Sequence, residues 1–203
     1  MKIEIFEFCD GDIKNAINVW NEVVSDGIAF PQVDCLDVEG GLEFFAQQSF
    51  VGVAKVVEDF CVAGDFIGKD SCGSDDVAVV KNAFSRSAVD KYDISDGMVG
   101  DIVGLYILHP NNIGRCGHIC NASYAVSSKF RGLGIGEMLV SHCISKAGEI
   151  GFGILQFNAV VATNTPALNL YKKLGFTKMA VIPKGFRLDD SSFVDIVPHF
   201  IEV

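Results

Sequence analysis

The chain has 203 residues, of which 49% are hydrophobic and 21% are charged, and its formal net charge is −10. This composition is typical of a globular protein rather than a disordered one, and the length suits one domain or one domain with an insertion. The negative charge argues against a general affinity for nucleic acid or for an anionic membrane. Any anionic cofactor must therefore be bound locally, by backbone amides and a few basic side chains.

No segment approaches 18 consecutive apolar residues, so the sequence predicts neither a membrane span nor a signal peptide. The seven cysteines have no paired C-x-x-C spacing, which indicates a protein of the reducing cytoplasm. Cys116, His118 and Cys120 resemble zinc ligands in spacing, but they alternate on one predicted strand and no second ligand pair follows. We therefore predict no metal site.

The first half of the chain begins with a predicted strand at Lys2–Glu7 and a helix at 11–25, where apolar residues recur at helical spacing. A second short helix is predicted at about 42–48, and a strand at 49–57. Residues 58–99 are polar and rich in turn residues, apart from a short helical candidate near 77–84. We interpret 58–99 as an insertion between the second and third strands of a single domain that spans 1–203.

The second half is more regular. Strands are predicted at 102–108 and 118–126, and a long helix that follows has a clean apolar face formed by Ile135, Leu139, Cys143 and Ala147. A strand at 154–162 precedes a short helix, for which we predict Thr165 as N-cap and Gly175 as the end. Segments 176–182 and 193–200 are predicted to form a final strand pair. The order of elements indicates one mixed α/β domain.

The stretch "SSKFRGLGIGEM" at 127–138 places three glycines between the predicted strand and the long helix. The dinucleotide fingerprint would need glycine at Glu137, and the NTPase phosphate loop would need Gly-Lys-Ser/Thr. The pattern that fits is R-x-x-G-x-G, from Arg131 to Gly136. Glycines allow a close approach of the backbone, and the amides of a helix N-terminus attract an anion. By itself, an ordinary strand-to-helix turn remains the alternative.

A second motif follows at the expected distance: "TNTPALNLYKKLGF", residues 163–176. It is similar to the signature N-x-x-A-x-x-L-Y-x-K-L-G-F, and the two motifs together resemble the GCN5-related N-acetyltransferase (GNAT) superfamily. The resemblance implies an α/β (α+β) fold with a central, mixed, splayed β-sheet of about six to seven strands, flanked by about four helices. The two strands that splay apart would be 118–126 and 154–162.

The resemblance also implies acetyl-CoA as cofactor, with its pyrophosphate on the glycine loop and its pantetheine arm near Val126 and Asn164. The Tyr171 hydroxyl would protonate the departing thiolate, because a phenol of pKa about 10 stays protonated at neutral pH. The alternative is a core tyrosine without a catalytic role. The expected cofactor-binding residues are Val126, Arg131, Gly132, Leu133, Gly134, Ile135, Gly136, Asn164 and Tyr171.

Asn121 and Asn158 are polar residues within predicted apolar strands, and burial without partners would cost each about 1–3 kcal/mol. They either satisfy the splayed backbone or hold the substrate and the developing oxyanion. The stretches "GRCGHICNASYAV" and "LQFNAVVATN", together with Phe30-Pro31-Gln32, resemble the yeast branch of the family that acetylates azetidine-2-carboxylate. That resemblance implies a catalytic role for Asn121 and a place near the substrate for Asn158 and Phe30.

The sequence thus predicts a cytoplasmic N-acetyltransferase that transfers acetyl directly to the amine of a small molecule, such as an amino acid or proline analogue. No acyl-enzyme is expected, since no histidine–acid pair accompanies Cys120. The general base is not identified. Two alternatives remain: acetylation of a protein or peptide, and a non-catalytic acyl-CoA-binding regulatory domain. The final strands could also pair across a homodimer.

Overall fold

The structure is a computed structural model that describes residues 1–58 and 99–203. The strands are β1 (Lys2–Glu7), β2 (Phe50–Glu58), β3 (Ile102–Pro110), β4 (Ile119–Val126), β5 (Ile154–Phe157), β6 (Thr177–Lys178), β7 (Ile182–Arg187), β8 (Phe193–Ile196) and β9 (His199–Glu202). The helices are α1 (Ile13–Asp26), α2 (Val38–Ala46), α3 (Ile135–Ile150) and α4 (Thr165–Lys173).

Seven strands form one mixed sheet in the order β1-β2-β3-β4-β5-β9-β6, and β7 and β8 form a separate two-stranded sheet. β1 to β4 are antiparallel neighbours, whereas β4 and β5 run parallel. The predicted fold class, a mixed and splayed sheet flanked by four helices, is confirmed over the described residues.

The two faces of the sheet have separate cores. α1 and α2 cover one face around the fully buried Trp20, which packs on Phe45 and Phe30. α3 and α4 cover the other face. The predicted apolar stripe of α3 is confirmed, because Ile135, Leu139, Cys143 and Ala147 are all buried.

α2 begins earlier than predicted, at Val38 instead of about 42. Asp37 caps it by accepting a hydrogen bond from the Gly40 amide (2.7 Å). Two glycines obscured this start in the sequence. Gly41 is required by packing, since a Cβ there would lie 2.6 Å from Ile17 of α1.

The predicted N-cap of α4 was also wrong by one residue. Asn164, not Thr165, is the N-cap, and its Oδ1 accepts from the Ala167 amide (3.3 Å). Gly175 ends this helix region with φ of 87°, as the sequence predicts.

The largest differences lie in the last strands. The predicted strand at 154–162 stops at Phe157, because the chain then leaves the sheet and Val161 bridges to Ile196 of β8. The predicted final strand pair is divided into two antiparallel pairs in the structure. β6 pairs with β9, and β7 pairs with β8. Pro198 separates β8 from β9, since proline has no amide to donate to a ladder.

The segment 58–99 connects two antiparallel neighbours, β2 and β3, at one end of the sheet. This junction is held by hydrogen bonds from Val56 N to Asp101 O (3.0 Å) and from Gly100 N to Val56 O (2.8 Å). The helical candidate at 77–84 lies outside the described residues. Among the helices that are described, none is long and apolar enough to cross a membrane.

Candidate active site

The predicted splay between the two parallel strands is present. β4 and β5 pair only at Ile119–Ile154 and Cys120–Leu155, after which they diverge. β4 continues to Val126 beside β3, while the chain after Phe157 turns toward the β7–β8 sheet. A cleft therefore opens between the second half of β4 and the segment after β5.

Backbone amides of β4 face this cleft. The amide of Ser127 donates to Val103 O (3.0 Å), on the β3 side. Because N–H groups alternate in direction along a strand, the amides of Val126, Tyr124 and Ala122 point toward the gap. The Ala122 amide is satisfied by the Oδ1 atom of Asn121 (2.9 Å), so the splayed backbone is partly capped by that side chain.

The cleft has a volume of about 240 Å³ and two distinct walls. β4 side chains at even positions, such as Ala122 and Tyr124, belong to the core under α3 and α4, whereas Ala125 belongs to the core under α1 and α2. Asn121 therefore points toward α1 and α2. The residues that line the cleft are Ala29, Phe30, Pro31, Asn121, Ala122, Ser123, Tyr124, Phe157, Asn158, Ala159, Val160, Val161, Asn164, Ala167 and Tyr171.

We call the wall formed by Ala29–Pro31 and the odd-numbered β4 side chains the acceptor wall. Phe30 is 6% exposed and packs on Trp20 with the rings tilted by 37° and their centroids 4.4 Å apart. The opposite wall, formed by Tyr124, Phe157, Asn164, Ala167 and Tyr171, is called the cofactor wall. The glycine loop adjoins it at the end of β4. Ala29, Pro31, Ser123 and Tyr124 were missed as lining residues, although Pro31, Ser123 and Tyr124 lie in the stretches that carry the resemblance.

The glycine loop presents unused amides at the N-terminus of α3. Gly132 and Gly134 have φ of 83° and 80°, a conformation that other residues rarely adopt. The first helical bond runs from Met138 N to Gly134 O (3.1 Å), and within the described chain the amides of 132–137 have no acceptor. This arrangement, with the positive end of the helix dipole, fits a pyrophosphate.

Of the other predicted loop residues, Leu133 and Ile135 have buried side chains that anchor the loop in the core, so only their amides are available to a ligand. Gly136 lies inside α3 and faces α4, where a Cβ added to it would lie 3.6 Å from Leu170. Arg131 forms an ion pair with Asp26 of α1 (2.7 Å) and donates from Nε to Val126 O (3.3 Å).

Tyr171 lies on the inward face of α4, as predicted, and forms part of the cofactor wall. Its ring packs against Phe157, Phe176 and His199, at centroid distances of 4.6, 5.4 and 5.9 Å. Burial raises the pKa of its hydroxyl well above the usual value, so it stays protonated at any ordinary pH. The hydroxyl makes no hydrogen bond to other described residues, which leaves it available to a ligand.

The two predicted asparagines have different environments. Asn121 is half-buried in β4, whereas Asn158 is exposed beyond the end of β5, so its predicted place inside a strand was wrong. Asn158 exchanges two hydrogen bonds with Asn111 (2.7 and 3.3 Å) and accepts a third from Gln156 (2.9 Å). Asn111 was missed in the sequence, although "PNN" marks its loop.

The cysteines near the site are poor nucleophiles. Cys120 is buried, and burial raises the pKa of its thiol to about 11, while its S–H donates to Ile154 O (3.2 Å). Burial raises the pKa of Cys143 to about 12. Cys116 lies in a short 3-10 turn before β4 and not on the strand, contrary to the prediction. Both buried thiols therefore remain protonated near neutral pH.

Known structures share this fold over nearly the whole chain. A GCN5-related N-acetyltransferase from Kribbella flavida matches with a TM-score of 0.71 and 24% identity, covering 99% of this chain and 98% of the other. The structure of yncA from Salmonella typhimurium, which contains acetyl-CoA, matches with a TM-score of 0.73 and 14% identity, covering 100% and 94%. At these identities the likeness concerns the fold.

The sequence comparisons establish the family. The model of the acetyltransferase (GNAT) family matches residues 71–176, just over half of the chain. The chain therefore belongs to the GNAT family, whose members use acetyl-CoA, and the predicted family and cofactor class are confirmed.

Two curated relatives carry the resemblance further. The N-acetyltransferase aca1 of Schizosaccharomyces pombe is 39% identical over 87 residues, which cover 43% of this chain and 42% of the relative. An N-alpha-acetyltransferase of Sulfurisphaera tokodaii is 32% identical over 82 residues, which cover 40% and 48%. The match thus spans less than half the length of either relative.

Proposed function

We propose that this protein is an acetyl-CoA-dependent N-acetyltransferase that transfers the acetyl group directly to the amine of a small molecule. The observation that carries the proposal is the splay between β4 and β5, which opens a cleft that β4 and Tyr171 line and that adjoins the free amides of the glycine loop. Family membership supports the acetyl-CoA part. The small-molecule part rests on the shape of the cleft.

The geometry supports a direct reaction between partners on the two walls. Acetyl-CoA, when bound, supplies the thioester that the amine attacks. The amides of 132–136 would hold the pyrophosphate, and Asn164 and the Val126 amide would hold the pantetheine arm. Asn121, on the acceptor wall, would orient the amine, and the cleft-facing β4 amides would donate to the acetyl oxygen as negative charge develops.

Tyr171 is placed to keep a proton for the departing sulfur. Its raised pKa makes it a weaker acid than a free phenol, but burial raises the pKa of a thiol in the same region too, as Cys120 illustrates. The difference between the pKa of the Tyr171 hydroxyl and the pKa of the departing thiol is therefore smaller than the raised pKa of Tyr171 alone would suggest. Because the buried cysteines are protonated, an acyl-enzyme on either is disfavoured, which supports direct transfer.

The small and partly enclosed cleft favours a small amine. Phe30 and Pro31 close its acceptor side, whereas a protein substrate would need an open groove beside the segment that follows α1.

A protein N-terminus is the second candidate acceptor. The Sulfurisphaera relative is named an N-alpha-acetyltransferase, which acts on the same kind of α-amine that an amino acid offers. The α-amine of a peptide N-terminus has a pKa of about 8, so about a tenth is uncharged and nucleophilic at pH 7, whereas the amine of a free amino acid is more basic. This property suits a cleft that, among the described lining residues, offers no histidine, carboxylate or lysine as a base.

The test is thiol release from acetyl-CoA in the presence of amino acids, proline analogues, polyamines, aminoglycosides and peptides with free N-termini. Turnover with a free small amine and not with peptides would support the proposal. Turnover with peptides alone would favour the second candidate, and tight acetyl-CoA binding without turnover would favour a regulatory domain. The cytoplasmic location, the homodimer and the single-domain boundary 1–203 remain predictions.

A further inference from the structure

The cofactor loop is tied to a helix on the opposite side of the sheet. The Ser128 amide donates to Glu22 Oε1 (2.7 Å), and the Arg131 guanidinium pairs with Asp26 Oδ2 (2.7 Å). Glu22 and Asp26 are one turn apart on α1 and share one face of that helix. Both contacts join residues more than 100 positions apart in the chain.

Two of the three guanidinium nitrogens of Arg131 already have protein partners. Its Nη2 atom binds Asp26, and its Nε atom donates to the carbonyl of Val126, the last residue of β4. The guanidinium therefore joins the end of β4, the glycine loop and α1. The Nε–Nη2 fork, which could bind a phosphate through two parallel hydrogen bonds, is thus directed at protein acceptors instead.

The same helix leads directly to the acceptor wall. α1 ends at Asp26, Gly27 turns the chain with φ of 63°, and Ala29–Pro31 then line the cleft. The turn is tightly confined, because a Cβ on Gly27 would lie 2.7 Å from Asp189 Oδ2. The contacts of Glu22 and Asp26 thus connect the cofactor loop to the start of the wall that would receive the amine.

We propose that Glu22 and Asp26 form an acidic clasp that positions the cofactor loop, and that Arg131 is the partner of this clasp rather than a ligand of the pyrophosphate. The pyrophosphate is then held by the loop amides, and Arg131 neutralises Asp26 beside it. The statement about the pyrophosphate rests on the proposed function, but the clasp itself does not.

The clasp is tested without cofactor, by hydrogen exchange of the amides of 127–137 in wild type, Asp26→Asn, Arg131→Met and the double variant. Exposed ion pairs are weak, so we expect each single variant to speed exchange about two- to fivefold, and the double variant to be no faster than either. Glu149→Gln is the matched control, because it breaks a 2.7 Å ion pair with Lys146 that lies within α3. Unchanged exchange in both single variants would overturn the clasp.

The role of Arg131 is tested by calorimetric binding of CoA and of pantetheine, which lacks the pyrophosphate. If Arg131 only positions the loop, Arg131→Met should weaken the binding of CoA and of pantetheine by the same factor. This loss of affinity should disappear in the Asp26→Asn background. Weakening of CoA alone, in either background, would make Arg131 a phosphate ligand. If the wild type binds neither compound, the proposed function fails, while the exchange experiment still decides the clasp.

Discussion

The two walls of the cleft are built in different ways. The cofactor wall and the glycine loop beside it come mainly from two contiguous stretches, 163–176 and 127–138, and their proposed ligand groups are mainly backbone amides and Tyr171. The acceptor wall is assembled from Ala29–Pro31, odd positions of β4 and the segment after β5, which are distant in sequence. A ligand that does not vary can be bound by a short local motif, whereas the acceptor site depends on how separate segments pack.

The largest expected effect concerns the cofactor wall. Tyr171→Phe removes the proposed proton donor while keeping the ring packing, so we expect kcat to fall about 100-fold with little change in the KM for acetyl-CoA. Steady-state kinetics and a thermal melt would measure both. Because the pKa of Tyr171 is raised, its proton is retained as pH increases, and activity should show no loss from this group below about pH 10. Full activity in the variant would mean that solvent protonates the thiolate.

The second prediction separates two glycines of the same loop. Gly134 has φ of 80°, so Gly134→Ala strains the backbone by about 1–2 kcal/mol, and we expect CoA affinity to fall about tenfold. Gly136→Ala is the matched variant: it sits in α3, where the new Cβ would make an ordinary 3.6 Å contact with Leu170. Because alanine is favourable inside a helix, titration calorimetry should show at most a twofold change in CoA affinity for Gly136→Ala. Equal effects would show that the loop conformation does not determine binding.

The third prediction moves to the acceptor wall. Asn121→Ala leaves the Ala122 amide without its 2.9 Å partner and removes a side chain from the cleft, so the KM for the amine should rise about fivefold or more. Asn158→Ala removes an exposed amide that binds Asn111, and we expect a smaller rise. The ratio of the two KM values is the informative quantity. A larger effect at Asn158 would place the amine near the Asn111 loop.

The smallest expected effect is that of Cys120→Ala. With a pKa of about 11, this thiol is almost wholly protonated at pH 7.5, so it should contribute nothing as a nucleophile. We expect kcat to stay within about twofold, apart from a stability loss of about 1 kcal/mol from the small cavity. Loss of activity together with acetylation of Cys120, detected by mass spectrometry, would instead indicate an acyl-enzyme.

Local patterns in the sequence determined much of this protein: the buried stripe of α3, the left-handed glycines before it, the short helix that carries Tyr171, and the family. Periodicity, capping and turn chemistry act within a few residues, so they can be recognised without a structure. Tertiary structure alone decided where β5 ends and that Asn158 is exposed. It also decided the pairing of Arg131 with Asp26, because the identity of a side chain's partner 105 residues away depends on how the sheet brings the segments together.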